Sequence, residues 1–244
     1  QADLLPTGAW TLLGDAGVRD AWSRSGLPDP PGALWVPVSE ERKRLETLVP
    51  WLEHWAGLNL HRDTTVVAVG GGALLDMAGL AASLFLRGVA WQAWPTTLLA
   101  QADAGLGGKT AVDLEAGKNL AGAFHAPVRL VACRAFLATL SERQMRAGRW
   151  EMVKVALLEG DLAWASALLD QDLPEAADLA RCLRFKGAIV HRDPRERGER
   201  RLLNLGHTLG HALEAASGYG LLHGEAVGLG LLAACELARV QGLE

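Results

Sequence analysis

The stretch DTTVVAVGGGALLD, Asp63–Asp76, limits the possible folds more than any other part of the chain. A β-branched apolar run bounded by glycines reads as a buried parallel strand. The segment ALLDMAGLAASLFLRG that follows reads as an apolar helix. Such a strand is apolar at successive positions and must be covered on both faces. The neighbouring segments repeat the theme. AWTLLGD (Ala9–Asp15), PGALWVPV (Pro31–Val38) and VAWQAWP (Val89–Pro95) are short apolar runs of strand character. SEERKRLETLVPWLEHWAG opens with Ser39 and Glu41 and then shows helical periodicity, with Pro50 as a blemish. This βαβ rhythm predicts a Rossmann-like parallel sheet with helices on its faces.

Beyond about residue 135 the rhythm changes. SERQMRAGRWEMVKVALLEG, PEAADLARCLRFKGAIVHRD, LLNLGHTLGHALEAASG and HGEAVGLGLLAACELARVQG all carry helical periods and glycine stops, with no convincing strand. The expected organisation is an α/β domain over residues 1–135 and an all-α domain over residues 136–244.

Composition narrows the function. With 28 acidic against 24 basic side chains, the net charge is −4, and no long basic run favours nucleic acid or a membrane surface. The longest apolar stretch, near Val227–Ala234, holds glycines and is too short to span a bilayer. Cys133, Cys182 and Cys235 are odd in number and widely spaced. They point to a reducing, cytoplasmic compartment, as does the lack of a signal-peptide pattern after Gln1. The tryptophans are scattered, as expected of core and surface filler.

Three regions carry candidate chemistry. The triplet Gly70, Gly71 and Gly72 between strand and helix would let backbone N–H groups approach a pyrophosphate. Its spacing is neither G-x-G-x-x-G nor a Walker loop, and a plain tight turn is the ordinary alternative. Asp76 would cap backbone donors or hold a ribose or nicotinamide group. The second region, Pro95–Pro127, is glycine- and lysine-rich and reads as a long loop. Thr96, Thr97, Asp103, Lys109, Lys118 and Asn119 fall where a strand ends, the place where open α/β sheets bind ligands. In the third region, Glu151 and Lys154 share a helix face, and His207, His211 and His223 fall within 17 positions. A carboxylate with imidazoles suits a zinc site with an open position. Spacing alone would pair His207 with His211.

These motifs stand in a familiar order. EERKRLET, RDTTVVAVGGGALLDMAG, LRGV, PTTLLAQAD, GGKTAV, GKNLAGAFHAP, EMVK, LLNLGHTLGHALE and LHGEAV span most of the chain. Together they resemble the 3-dehydroquinate synthases, the sugar-phosphate cyclases of the shikimate pathway. The resemblance implies an NAD-binding α/β domain, a helical domain and an active site between them. It implies zinc, or cobalt in its place, on Glu151, His207 and His223, with His211 turned to the substrate phosphate. It further implies NAD contacts at Glu40, Lys43, Gly71, Gly72, Asp76, Thr96, Thr97, Lys109, Lys118 and Thr139. Substrate contacts would come from Arg87, Lys109, Asn119, Lys186, Arg200 and Asn204. His211, Lys154, Asp103 and Glu196 would serve catalysis. Arg87 would reach a neighbouring subunit, which implies a homodimer. The implied reaction converts 3-deoxy-D-arabino-heptulosonate 7-phosphate to 3-dehydroquinate and phosphate by transient oxidation, β-elimination, reduction and aldol closure.

Leu75, Ala104, Gly105, Asp113 and Val155 depart from the family pattern, and each is expected to loosen a contact. The family's first strand and its late lysine have no counterpart, so a fragment or a shortened member is expected. Competing readings are a cyclitol-forming cyclase, a metal-dependent polyol dehydrogenase of the same fold, and a cofactor-binding remnant without activity.

Overall fold

The computed structural model describes residues 2–218 and 220–243. Residues up to Thr139 form one compact unit, and those from Leu140 form a second. The first is α/β and the second is helical.

In the first unit, β1 (Trp10–Asp15), β2 (Leu34–Val36), β3 (Thr65–Gly70), β4 (Trp91–Pro95) and β7 (Arg129–Leu130) make a parallel sheet in the order β2-β1-β3-β4-β7. β3 lies at its centre, and its residues divide by parity. Val66 and Ala68 pack with α2 (Leu45–Gly57) and α3 (Gly72–Leu84) on one face. Val67 and Val69 pack on the other face with Trp22 of α1 (Arg19–Arg24), Trp94 and Phe136. Burial on both faces explains the unbroken apolar run. Trp22 is the hub of the second face, edge-on to Trp94 at 5.3 Å and stacked on Phe136 at 6.5 Å. Trp22, Trp55 and Trp94 are core residues.

Two expectations need correction. The helix anticipated from Ser39 begins at Leu45. Ser39 makes no side-chain cap, and Glu40–Arg42 form only a short 3-10 turn. The third position after Ser39 is Arg42, which cannot close a capping box, and Arg44 is extended at φ −126°, ψ 156°. Pro50 is accommodated within α2 at an exposed position. The region 95–127 is not one long loop. It contains a single π-helical turn at Ala100–Ala104 and an antiparallel hairpin, β5 (Lys109–Leu114) with β6 (Gly117–Phe124). Its glycines serve packing, since a Cβ on Gly122 would collide with the carbonyl oxygen of Thr110.

The second unit holds α4 (Glu142–Leu158), α5 (Leu162–Asp170), α6 (Ala176–Arg192), α7 (His207–Ala216) and α8 (His223–Val240). Ser141 and Gln144 close a capping box that starts α4. Helix α8 packs on both α4 and α7 at backbone distance. A Cβ on Gly224 would collide with the carbonyl oxygen of Ala147, and one on Gly230 with that of Gly206. Gly206 itself has φ +79°, which glycine adopts without strain, and it launches α7 at His207. Among the described residues no helix is long and apolar enough to cross a membrane.

Gly230→Ala tests this contact. Helix propensity alone would stabilise the variant by about 1 kcal/mol. The collision with Gly206 outweighs it, so a net loss of about 1–3 kcal/mol is expected in urea unfolding. A gain would show that α7 and α8 separate freely.

Candidate functional site

The helical unit gathers an acidic and imidazole cluster. Glu151 and Lys154, three residues apart on α4, are each 1% exposed. The Lys154 ammonium pairs with Oε2 of Glu151. Oε1 of Glu151 is buried and accepts no hydrogen bond. His207 and His223, the first residues of α7 and α8, bring their Nε2 atoms to 3.7 and 3.6 Å from that oxygen. These separations are too long for hydrogen bonds. They are close to the roughly 3.3–3.6 Å between ligand atoms that share a tetrahedral ion with bonds of about 2.0–2.2 Å. All three ligand atoms lie within 4.8 Å of one another. A buried anionic oxygen with no donor, facing two imidazole nitrogens, fits a divalent cation.

Local contacts prepare the imidazoles. Nδ1 of His207 lies 3.2 Å from the carbonyl oxygen of Leu205. A carbonyl only accepts, so the proton is assigned to Nδ1 and the lone pair to Nε2. Burial lowers the pKa of His207 from its ordinary value, against the opposing pull of Glu151. The neutral, ligating form therefore prevails near neutral pH. Nδ1 of His223 lies 3.2 Å from Oε2 of Glu214. Glu214 escaped the sequence reading. Its signal was the seven-residue step from His207, two turns along one helix face. His211 is exposed, its ring 5.4 Å from that of His207 and 5.7 Å from that of His223. It groups with Glu214 and His223 rather than with Glu151.

Beside this cluster a cleft of about 490 Å³ is lined by Leu158, Glu196, Arg201, Asn204, Leu205 and Thr208, among others. The Asn204 amide donates to the carboxylate of Glu196, which is held at φ +55°. The loop is braced by Asp193, whose carboxylate accepts from the N–H groups of Arg197, Gly198 and Arg200 at 2.9, 2.7 and 3.1 Å. The guanidinium of Arg200, 3% exposed overall, donates to the carbonyl of Pro194. Lys186, on α6, is also buried.

The α/β unit assembles a second group around the turn from β3 to α3. A Cβ on Gly70 would strike Leu74, and one on Gly71 would press on Thr97 at 3.1 Å. Gly71 caps α3 without a side-chain bond, leaving the helix N-terminal N–H groups for an anion. Thr96 N–H donates to the Gly70 carbonyl, and Thr97 Oγ accepts from Ala100 N–H. Gln101, also missed from sequence, ties Pro95 to Cys133 through its amide. Only a lone polar residue in an apolar run marked it. Asp103 lies in the π turn.

Lys43 is buried and donates to Asp76 at 2.6 Å and to Asn119 at 2.5 Å. Asp113 accepts from Asn119 N–H at 2.7 Å, fixing that residue at φ +57°, while its own N–H donates to the Lys43 carbonyl. Asp113 is thus tied to both Asn119 and Lys43. Leu75 and Val155 are buried core residues. Ala104 packs against the core, and a Cβ on Gly105 would strike the Ala100 carbonyl. Lys118 pairs with Glu40 at 3.5 Å, Lys109 is exposed at the start of β5, and Thr139 Oγ caps Phe136. Arg87 stands apart. It follows the C-terminal end of α3, about 20 Å along that helix from Gly72, on an exposed turn at φ +66°.

Residues 33–147 match the family model described as 3-dehydroquinate synthase N-terminal, and residues 148–244 the one described as 3-dehydroquinate synthase C-terminal. The 3-dehydroquinate synthase of Xanthomonas axonopodis pv. citri is 44% identical over 93% of this chain and 65% of its own length. The chain thus spans just under two thirds of that relative. A 2-deoxy-scyllo-inosose synthase solved with carbaglucose-6-phosphate, NAD+ and Co2+ is 31% identical, with a TM-score of 0.83 over 98% of this chain and 70% of its own. The 2-epi-5-epi-valiolone synthase of Streptomyces hygroscopicus, solved with NAD+ and Zn2+, is 31% identical with a TM-score of 0.82, over 96% of this chain and 70% of its own.

The Asp193 brace yields a pH prediction. Its backbone hydrogen bonds, that from Arg197 foremost, lower the Asp193 pKa. The brace is therefore fully present above the ordinary Asp value of about 3.9 and is lost as pH falls through the lower folded value. The Gly198 amide resonance should titrate with a midpoint below about 3.9. A midpoint at or above that value would mean that the carboxylate is not held.

Proposed function

This chain belongs to the 3-dehydroquinate synthase family, and from that premise we propose that it carries that family's reaction. In this reading 3-deoxy-D-arabino-heptulosonate 7-phosphate becomes 3-dehydroquinate and inorganic phosphate, in the cytoplasmic shikimate pathway. The observation that carries the reading is the buried Glu151 Oε1, which accepts no hydrogen bond and faces two imidazole Nε2 atoms.

Glu151, His207 and His223 hold a divalent metal, zinc or cobalt, in this reading. Lys154 anchors Oε2 of Glu151 and so keeps Oε1 turned to the imidazoles. Gly71, Gly72 and the N-terminus of α3 take the pyrophosphate of NAD, with Thr96 and Thr97 beside them. Lys43, Asp76, Glu40, Lys118 and Thr139 complete the nucleotide contacts. When bound, NAD would accept a hydride from the carbinol carbon and return it, and the metal would polarise the hydroxyl oxygen on that carbon.

The remaining roles fall to this chain's own groups. Lys186 and Arg200 are buried cations suited to the substrate carboxylate. Asn204, oriented by Glu196, holds a ring hydroxyl, and the Glu196 carboxylate takes a proton. His211, Lys109 and Asn119 donate to the phosphate, and Asp103 orients the substrate hydroxyls. Arg87, exposed and remote from the glycine turn, reaches the phosphate site of a second copy in a homodimer. A phosphorylated sugar acid is therefore the substrate class.

The test supplies the heptulosonate phosphate, NAD+ and Zn2+, and follows phosphate and dehydroquinate together. Equal release of both, lost with a chelator, is expected. A cyclitol product, net NADH accumulation, or NAD binding without phosphate release would each overturn the reading. His211→Ala should keep its metal and lose on the order of 100-fold or more in phosphate release. Glu151→Gln should lose the metal. Metal loss from His211→Ala would mean that the ligand set is misassigned.

A further inference from the structure

His223 faces two carboxylates. Its Nε2 lies 3.6 Å from Glu151 Oε1, and its Nδ1 lies 3.2 Å from Glu214 Oε2. Two cation arrangements therefore compete for one ring. In the first, Glu151, His207 and His223 hold the ion. In the second, His211, Glu214 and His223 hold it, since their ligand atoms also lie within 4.8 Å of one another.

Burial decides between them. An ion on the Nδ1 side would put the His223 proton on Nε2, 3.6 Å from Glu151 Oε1, too far for a hydrogen bond, and would leave that oxygen without a close partner at a residue 1% exposed. A buried anionic oxygen without a partner is strongly destabilising. An ion on the Nε2 side serves Glu151 directly, and it leaves Nδ1–H to donate to Glu214, itself 5% exposed. Both buried carboxylates are then satisfied by one tautomer of one ring. Glu214 is also placed by the same helix that presents His207, two turns earlier.

We propose that Glu214 is a positioning residue. It accepts the Nδ1 proton of His223, selects the tautomer with its lone pair on Nε2, and fixes the ring toward the metal. This rests on the metal-binding reading given above. A carboxylate behind a ligating imidazole also raises the basicity of that ligand. Glutamine at this position fills the same volume but can turn its NH2 toward Nδ1. That would stabilise the opposite tautomer, with a proton on the ligating nitrogen.

The experiment titrates the metal-free full chain and its Glu214→Gln variant with Co2+ against a chromophoric chelator. Thermal unfolding of both metal-free proteins and the tautomer of His223, from ¹⁵N-histidine spectra, are measured alongside. A Co2+ affinity on the order of 10–100-fold weaker in the variant is expected, with little change in unfolding temperature. Nδ1–H is the expected tautomer in the unaltered protein. Equal affinities would overturn the proposal while leaving the metal site intact. A fall in unfolding temperature at equal affinity would overturn it too, by reducing Glu214 to a structural role. Nε2–H at His223 in the unaltered protein would overturn the proposal even if the variant failed to fold. Failure of the unaltered protein to bind Co2+ would overturn the metal reading and this proposal together.

Discussion

The helical unit is organised around one buried negative charge. Glu151 sits on α4, 1% exposed, and a carboxylate so far from water persists only with opposing charge and hydrogen bonds around it. Lys154, one turn along the same helix, serves one oxygen. The other faces the first residues of α7 and α8, whose imidazoles, with their Nδ1 protons directed to Leu205 and Glu214, cannot stay neutral and also donate to it. The cluster fits a cation, which would give that oxygen a partner that no donor in it provides.

The α/β unit also buries an ammonium beside a carboxylate, with a different outcome. Lys43 is bound by Asp76 and Asn119, and Asn119 is in turn held by Asp113. That network ties Asp76, at the start of α3, to Asn119 and Asp113 of the hairpin. The open valence in the helical unit and the closed one in the α/β unit suit different tasks. The first invites a ligand by its chemistry. The second keeps side chains in place beside the Gly70–Gly71 turn at the N-terminus of α3.

Much of this was legible from residues alone, for identifiable reasons. The run around Val66–Val69 could only be a strand covered on both faces, and the parity of its packing bears that out. The stretch 95–127 misled because its glycines and alanines carry little periodic signal. Its hairpin depends on close contacts such as Gly122 against Thr110, which belong to tertiary structure. The start of α2 misled because Ser39 resembles a cap, whereas the chain makes a short 3-10 turn and extends at Arg44, with the Lys43 carbonyl accepting from Asp113 N–H. The two histidines four apart on α7 drew attention to their spacing, while the seven-residue step from His207 to Glu214 marks only a shared helix face, and its meaning shows once His223 of α8 lies against it.

The glycine contacts between α7 and α8 have a consequence for how such a protein can change over time. At Gly206 and Gly230 the helices meet main chain to main chain, with no side chain to act as a spring between them. The separation of His207 and His223 is thereby gauged by peptide atoms at Gly206 and Gly230, which substitutions elsewhere do not alter. Surrounding leucines and valines can be exchanged, and the unit's stability can drift, while the gap between the two imidazoles stays calibrated. Tolerance to mutation in the packing and intolerance in the spacing are thus separated onto different atoms.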